Sequence, residues 1–250
     1  KVLELIQAWH VFQEPIWAIF SYLGFLSSPF PKLVKLKNNY SIWLDSWHDL
    51  VSVWGSWVRQ DYPVLGEESV ILDMGANIGS FSLFAAFKNP KAIVYAFEPV
   101  RQTFQSLCHT IERNQLQTHI IPLPYGVAAK SGSRNIYISL VGTYSSFYVK
   151  TQWVESIEVK NLKDVYELVG NPAQIDLLKM DCEGAEMEFL LGAESKELEL
   201  IKMICMEYHS FSGIALETVS HHLTKVGFQL LQYEADPNYQ CGFALYQNRL

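Results

Sequence analysis

Three short runs of this chain, with one acid between them, hold residues whose types and spacing can do chemistry. The first is Asp73-Met-Gly75-Ala76-Asn77-Ile-Gly79. Gly75 permits a tight turn, and Gly79 lets a following helix approach the strand before it. Glu98 stands nineteen residues beyond Gly79. An acid at that distance can accept both hydroxyls of a ribose, so loop and acid describe a nucleoside-binding crevice. The second run is Lys179-Met-Asp181-Cys-Glu183-Gly-Ala-Glu186. Asp181 falls where a strand should stop, facing the crevice. Glu186 and Glu188 are accounted for by the helix dipole, which favours acids in a first turn. The third is Glu207-Tyr-His209, whose outer members share a face if the strand continues. A histidine titrating near neutrality can act as general base on a hydroxyl, with Glu207 or Asp181 orienting it. Asp181, Glu183, Glu207 and His209 also offer the atoms of a metal site, but no tight ligand spacing demands one, and none is expected.

The loop discriminates between nucleosides. A dinucleotide loop reads GxGxxG, with pyrophosphate on the helix N-terminus. Here Ala76-Asn77 and Ser80 stand where the second and third glycines should fall. Asp73, at the base of the loop, would repel a pyrophosphate and attract the ammonium and sulfonium of S-adenosylmethionine (SAM). The charges therefore favour SAM over a nicotinamide cofactor. No G-x-S-x-G elbow and no P-loop is present, so direct transfer of a group from a bound cofactor is the simplest chemistry. His10, His48, His109, His119, His221 and His222 show no partner pattern and read as surface or packing residues.

Strands alternating with helices must position these groups. Short apolar runs at 69–73, 92–97, 119–123, 175–180 and 200–206 read as buried parallel strands. Helices are expected over 79–88, 101–114, 183–191 and 212–226, the last ended by Gly227. The segment 130–134 reads as a polar hairpin. Two closing strands, near 228–233 and 242–246, flank the turn signal Asp236-Pro237-Asn238. The expected fold class is thus α/β, a doubly wound, mostly parallel sheet with an antiparallel edge strand.

A chain of 250 residues with 49% hydrophobic and 18% charged residues is neither disordered nor collagen-like. Its net charge of −7 argues against a nucleic-acid-coating protein. The four cysteines are widely spaced, which fits reduced thiols in a cytoplasmic compartment. Six of the seven tryptophans precede Gly66, so residues 1–66 read as an aromatic-rich helical extension packed on a main domain over 67–250. The apolar stretch 16–26 is too short for the ~20 residues of a membrane span. Membrane contact through residues 1–37 is possible but not favoured.

The ordered set Asp73-x-Gly-Ala-Asn-x-Gly79, Phe97-Glu98-Pro99, Leu178-Lys-Met-Asp181-x-Glu183-Gly-Ala-Glu186 and Glu207-x-His209 resembles the FkbM-type SAM-dependent methyltransferases. Asp49-Leu50 and Asp61-Tyr62 resemble that family's upstream segment. The resemblance implies a class I, Rossmann-like methyltransferase fold and O-methylation of a hydroxyl on a sugar, glycan or natural product. It implies that Asp73 to Gly79 hold the methionine moiety, that Glu98 holds the ribose, and that Val127 and Ala128 line the adenine. It places the 142–146 loop near the acceptor. Asn161-Leu-Lys163-Asp164 departs from the family's acid-rich version at Lys163. Two rival readings stand beside it: an NAD(P)-dependent oxidoreductase on the same fold, and a non-catalytic SAM-fold module docking through its tryptophan-rich arm.

Overall fold

A computed structural model of the chain describes residues 2–26, 29–138, 145–209, 212–236 and 241–249. The N-terminal region starts with helices α1 (Val2–Val11) and α2 (Pro15–Tyr22), the second opened by the fixed φ of its first-turn proline. An antiparallel hairpin follows, β1 (Lys32–Lys35) and β2 (Ser41–Leu44). Helix α3 (Trp47–Val53) begins on a capping box, in which the Ser46 hydroxyl accepts from the Asp49 N–H and the Asp49 carboxylate accepts from the Ser46 N–H. It runs directly into a π-helical stretch, Trp54–Arg59.

The remaining elements in chain order are β3 (Val70–Met74), α4 (Ser80–Lys88), β4 (Ile93–Phe97), α5 (Arg101–Arg113), β5 (Ile120–Leu123), β6 (Gly126–Val127), β7 (Gly132–Ile138), β8 (Trp153–Lys160), α6 (Leu162–Leu168), β9 (Ile175–Met180), α7 (Glu186–Gly192), α8 (Ser195–Leu198), β10 (Ile201–His209), α9 (Leu216–Val226), β11 (Phe228–Asp236) and β12 (Cys241–Asn248). Seven strands form one sheet in the order β11-β12-β10-β9-β3-β4-β5, and β12 alone runs opposite to the other six. The α/β class and the mostly parallel sheet expected from the sequence are therefore those of the molecule. The chain moves from β3 outward to β4 and β5, then crosses back to β9 and β10. The strand order reverses between β3 and β9, where an open α/β sheet leaves a crevice at its carboxyl edge.

Several expectations need correction. Residues 130–134 do not form an isolated hairpin. They lead into β7, which joins β6 and β8 in a second, three-stranded sheet. The last helix starts at Leu216 rather than at residue 212, and α7 starts at Glu186 because Glu183 and Gly184 both take positive φ. Strand β10 runs on to His209, which puts Glu207 and His209 on a regular strand. Pro237, Asn238 and residues 142–144 of the proposed acceptor loop lie outside the described residues.

The apolar side chains do not part at Gly66. One buried cluster joins Phe12, Ile42, Trp54 and Trp57 of the extension to Ile71, Phe84 and Leu107 on one face of the sheet. A second covers the opposite face. The ring of Tyr22 stacks on Trp54 at 4.0 Å between centroids, and Phe12 stacks at 6.0 Å. The π-helical stretch is thereby clamped between the arm and α4.

Candidate functional site

The glycine loop follows β3 because its backbone is caught from both sides. The Gly75 and Ala76 N–H groups donate to the Phe97 carbonyl at 3.0 and 2.9 Å. Gly75 takes φ +74°, and a Cβ there would come 1.8 Å from the Asp181 carbonyl oxygen. Only a glycine lets these two strand ends pass so closely. Asn77 also takes positive φ, and its N–H donates to Glu98 Oε2 at 3.0 Å. The other oxygen of Glu98 accepts from the Val100 N–H at 2.9 Å. Burial pushes Glu98 up to about 7, against the opposing pull of those two N–H groups and Lys179.

Asp73 takes a different place from the one expected. It is fully buried, pairs with Lys179 Nζ at 2.9 Å and accepts from the Ser82 hydroxyl at 2.6 Å. Its charge is spent inside the protein and does not line the hollow, so it cannot supply the attraction for a cation first assigned to it. Lys179 carries that pairing onward. Its Nζ donates to the Gly75 carbonyl at 2.9 Å, tying β9 to the loop. Burial pulls Lys179 down, but Asp73 and Asp181 more than offset it and hold the ammonium charged.

A cavity of about 530 Å³ opens over the crevice. Gly75, Ala76, Asn77, Glu98, Val127 and Asp181 lie on its wall, as do Glu207 and His209. Gly79 does not. It turns the chain into α4, where a Cβ would meet Leu107 at 2.8 Å. Ala128 is packed behind the wall with Val100 and Val159. The extension builds the opposite side through Ser52, Gly55 and Arg59 of the α3 and π-helical stretch. Tyr62, just beyond, donates its hydroxyl to Asp181 Oδ2 at 3.2 Å.

His209 sits at the floor among carboxylates. Its Nδ1 lies 3.4 Å from Glu186 Oε1, and its Nε2 lies 3.6 Å from Glu183 and 4.0 Å from Glu207. Burial would lower its pKa, but the Glu186 hydrogen bond and the charges of Glu186 and Glu183 overcome it and raise it to about 10. The expectation of a histidine titrating near neutrality is corrected on that ground. The orienting partner is also corrected: Glu186 is nearer than Glu207. Glu186 is fully buried, and its carboxylate accepts from the Cys182 and Gly184 N–H groups. Burial drives Glu183 up to about 8 and, joined by Asp181, Glu207 up to about 7. Atoms of Asp181, Glu186 and His209 lie within 4.8 Å of one another, close enough to share a divalent cation, and they equally belong to this hydrogen-bonded set.

The residues fit an adenosyl sulfonium donor. A bare Gly75 leaves room at the strand crossing, Glu98 turns a carboxylate to the wall, and Asp181, Glu183 and Glu207 line the hollow with acceptor oxygens. The sequence reasoning missed Tyr62, Lys179 and Glu186 as parts of the site. For Glu186 a signal existed in its spacing of three from Glu183 and five from Asp181, read there only as helix-terminal chemistry.

Known proteins resemble this chain in family and in fold. The model of the methyltransferase FkbM domain matches residues 73–244. Methyltransferase sdnD of Sordaria araneosa is 30% identical over 207 residues, 70% of this chain and 80% of that one. The 31-O-demethyl-FK506 methyltransferase FkbM of Streptomyces tacrolimicus is 30% identical over 67% of this chain and 75% of its own length. The hexuronic acid methyltransferase AglP of Haloferax volcanii is 28% identical over 70% of this chain and 71% of its own. Among solved structures, M. capricolum TrmK in complex with S-adenosyl-homocysteine superposes with a TM-score of 0.50 at 10% identity, covering 76% of this chain and 67% of that one. That likeness speaks for the fold alone.

Proposed function

On the premise that this chain belongs to the FkbM methyltransferase family, we propose that it transfers a methyl group to a hydroxyl oxygen of a sugar, glycan or natural-product acceptor. It is a methyltransferase, and its methyl donor is S-adenosyl-L-methionine. The donor supplies an electrophilic methyl group on a sulfonium. Everything else falls to the chain. Glu98 holds the ribose hydroxyls, and Gly75 to Asn77 shape the floor beneath the amino-acid moiety. Asp181, itself held by Tyr62, faces the positive end. Asp73 acts through Lys179, which pins the loop from below. Val127 borders the adenine, with Ala128 packed behind it and Gly79 setting the start of α4.

The acceptor hydroxyl must lose a proton as its oxygen attacks. His209 takes it at Nε2, while Glu186 holds Nδ1 and fixes the ring. In the empty site His209 is protonated. A cationic donor seated beside it disfavours that proton, so His209 becomes a base only once the site is loaded. Holding acceptor and donor at near-attack distance supplies much of the remaining rate.

The observation that carries this reading is the convergence of Glu98, Asp181 and His209 on one cavity at the point where strand order reverses. The chain's net charge of −7 also supports an uncharged hydroxyl compound over a polyanion such as nucleic acid. Incubation with SAM and a panel of hydroxylated sugars and macrolides tests it. The expected result is acceptor-dependent S-adenosylhomocysteine with the methyl on oxygen, undiminished by a chelator. Product only from amine acceptors would overturn the proposal. Loss of turnover with chelator, restored by a divalent ion, would reassign His209 from base to ligand.

A further inference from the structure

We propose that the exposed apolar face of residues 2–26 docks on an anionic phospholipid surface, with Lys35 and Lys37, at and just beyond the end of β1, as its electrostatic complement. The inference goes beyond methyl transfer and does not rest on it.

Helix α1 sets Val2, Ile6 and Trp9 on one stripe, spaced i, i+4 and i+7, and each is 50% exposed or more. Across the junction with α2, Trp9 and Ile16 line one shallow groove together with Lys37. Helix α2 carries the stripe on through Ile16 and Phe20. The turn after it folds back, so that the Phe25 and Leu26 N–H groups donate to the Phe20 carbonyl. The Phe20 and Phe25 rings meet edge-on at 6.2 Å, and Phe25 is 76% exposed. Surface apolar residues are ordinarily scattered singly, whereas these are continuous along two helices and a turn.

Charge decides what covers them. Residues 1–37 hold four lysines and two glutamates, on a chain whose total is −7. Both glutamates are occupied: Glu4 accepts from Trp54 Nε1 at 3.1 Å, and Glu14 pairs with Lys32 at 3.0 Å. Lys35 and Lys37 are exposed and, among the described residues, make no ion pair. Lys35 lies at the helix junction, since its carbonyl accepts from the Gln13 N–H. Among the described residues Lys35 and Lys37 thus put positive charge beside the apolar stripe, on a chain whose remaining residues, 38–250, sum to −9. Tryptophan, aliphatic residues and a basic flank are the composition of a helix lying in the headgroup plane. No helix among the described residues is long and apolar enough to cross a bilayer, so contact is in that plane.

Co-sedimentation of the full chain with phosphatidylcholine vesicles, with and without phosphatidylserine, tests this. The chain should pellet with the anionic vesicles, at least ~tenfold more weakly with the neutral ones or at high salt. Ile6→Ser with Phe25→Ser should lose that binding while keeping the melting temperature and the affinity for SAM. Lys35→Glu with Lys37→Glu should lose only the preference for phosphatidylserine. No pelleting with anionic vesicles would overturn the proposal, and so would pelleting unchanged in both variants. A dimer in sedimentation analysis that dissociates on Ile6→Ser with Phe25→Ser would overturn it too, by giving the face to a second copy.

Discussion

One methyl group at residue 75 would collide with the next strand. The Cβ of Gly75→Ala would stand 1.8 Å from the Asp181 carbonyl, on backbone with φ +74°. Neither atom belongs to a flexible side chain, so the strand ends must separate. A loss of about 3 kcal/mol or more is expected, with affinity for SAM lost alongside it. Gly79→Ala provides the contrast. Its Cβ meets Leu107 Cδ1, which can move, so the cost should be closer to the ~1–2 kcal/mol of its left-handed backbone. Urea melts of the two variants check the order, and equal losses would show that the crossing yields as readily as the Leu107 side chain. Glu98 sets a pH dependence. A carboxylate accepts ribose hydroxyls best when ionised, and burial holds this one at about 7. Affinity for SAM should therefore be full above that pH and weaken as pH falls through it, by up to about tenfold per unit. Calorimetry across that range should give a shallower slope for Glu98→Gln than for the parent protein.

At the level of elements, the Asp73–Lys179 pair is a rivet between β3 and β9. The two residues are directly opposite in the parallel register, and both are buried. Removing one partner leaves the other charge in a poor solvent. Lys179→Met should cost about 3–5 kcal/mol. Adding Asp73→Asn to it should restore part of that loss, so the double variant melts above Lys179→Met alone. Simple additivity would mean that the pair is not coupled. The same pair marks the limit of what the sequence made legible. The strands of the main sheet announce themselves as apolar runs, and β9 falls where its run does. The glycine loop, Glu98, Asp181 and Glu207-x-His209 are equally readable, because strand ends and fixed spacings bring them to one edge. Long-range neighbours are not. Asp73 and Lys179 are 106 positions apart, and nothing local says that the anion under the loop already has its cation. Glu186 was hidden because a first-turn acid is satisfied by the helix dipole alone, with no need to ask about His209. The π-helical stretch has no spacing signature of its own, and the rings of Tyr22 and Phe12 that stack on its first residue, Trp54, come from far back in the chain. Strands β6 to β8 were missed because two of them present polar, partly exposed faces.

The whole molecule depends on an N-terminal arm that sequence composition sets apart from the catalytic half. Its apolar residues belong to the same buried cluster as α4 and α5, and its π-helical stretch is one wall of the cavity. The arm reaches the chemistry through a short chain of contacts. Phe12 and Tyr22 stack on Trp54, the turn of backbone beyond it carries Arg59, and Tyr62 then donates to Asp181. A chain starting at Asn38 loses both rings from Trp54 and the β1 strand that pairs with β2. Each large buried side chain left against a void costs about 2–5 kcal/mol, so the truncated protein should lose much of a domain's stability. Its affinity for SAM should fall with it, because the π-helical wall of the cavity loses the aromatic rings that back it. Thermal melts and calorimetry of the two chains check this. A truncated form that melts like the parent and binds SAM equally well would mean that residues 38–250 carry the cavity unaided, and that the aromatic clamp around Trp54 serves another purpose than shaping the site.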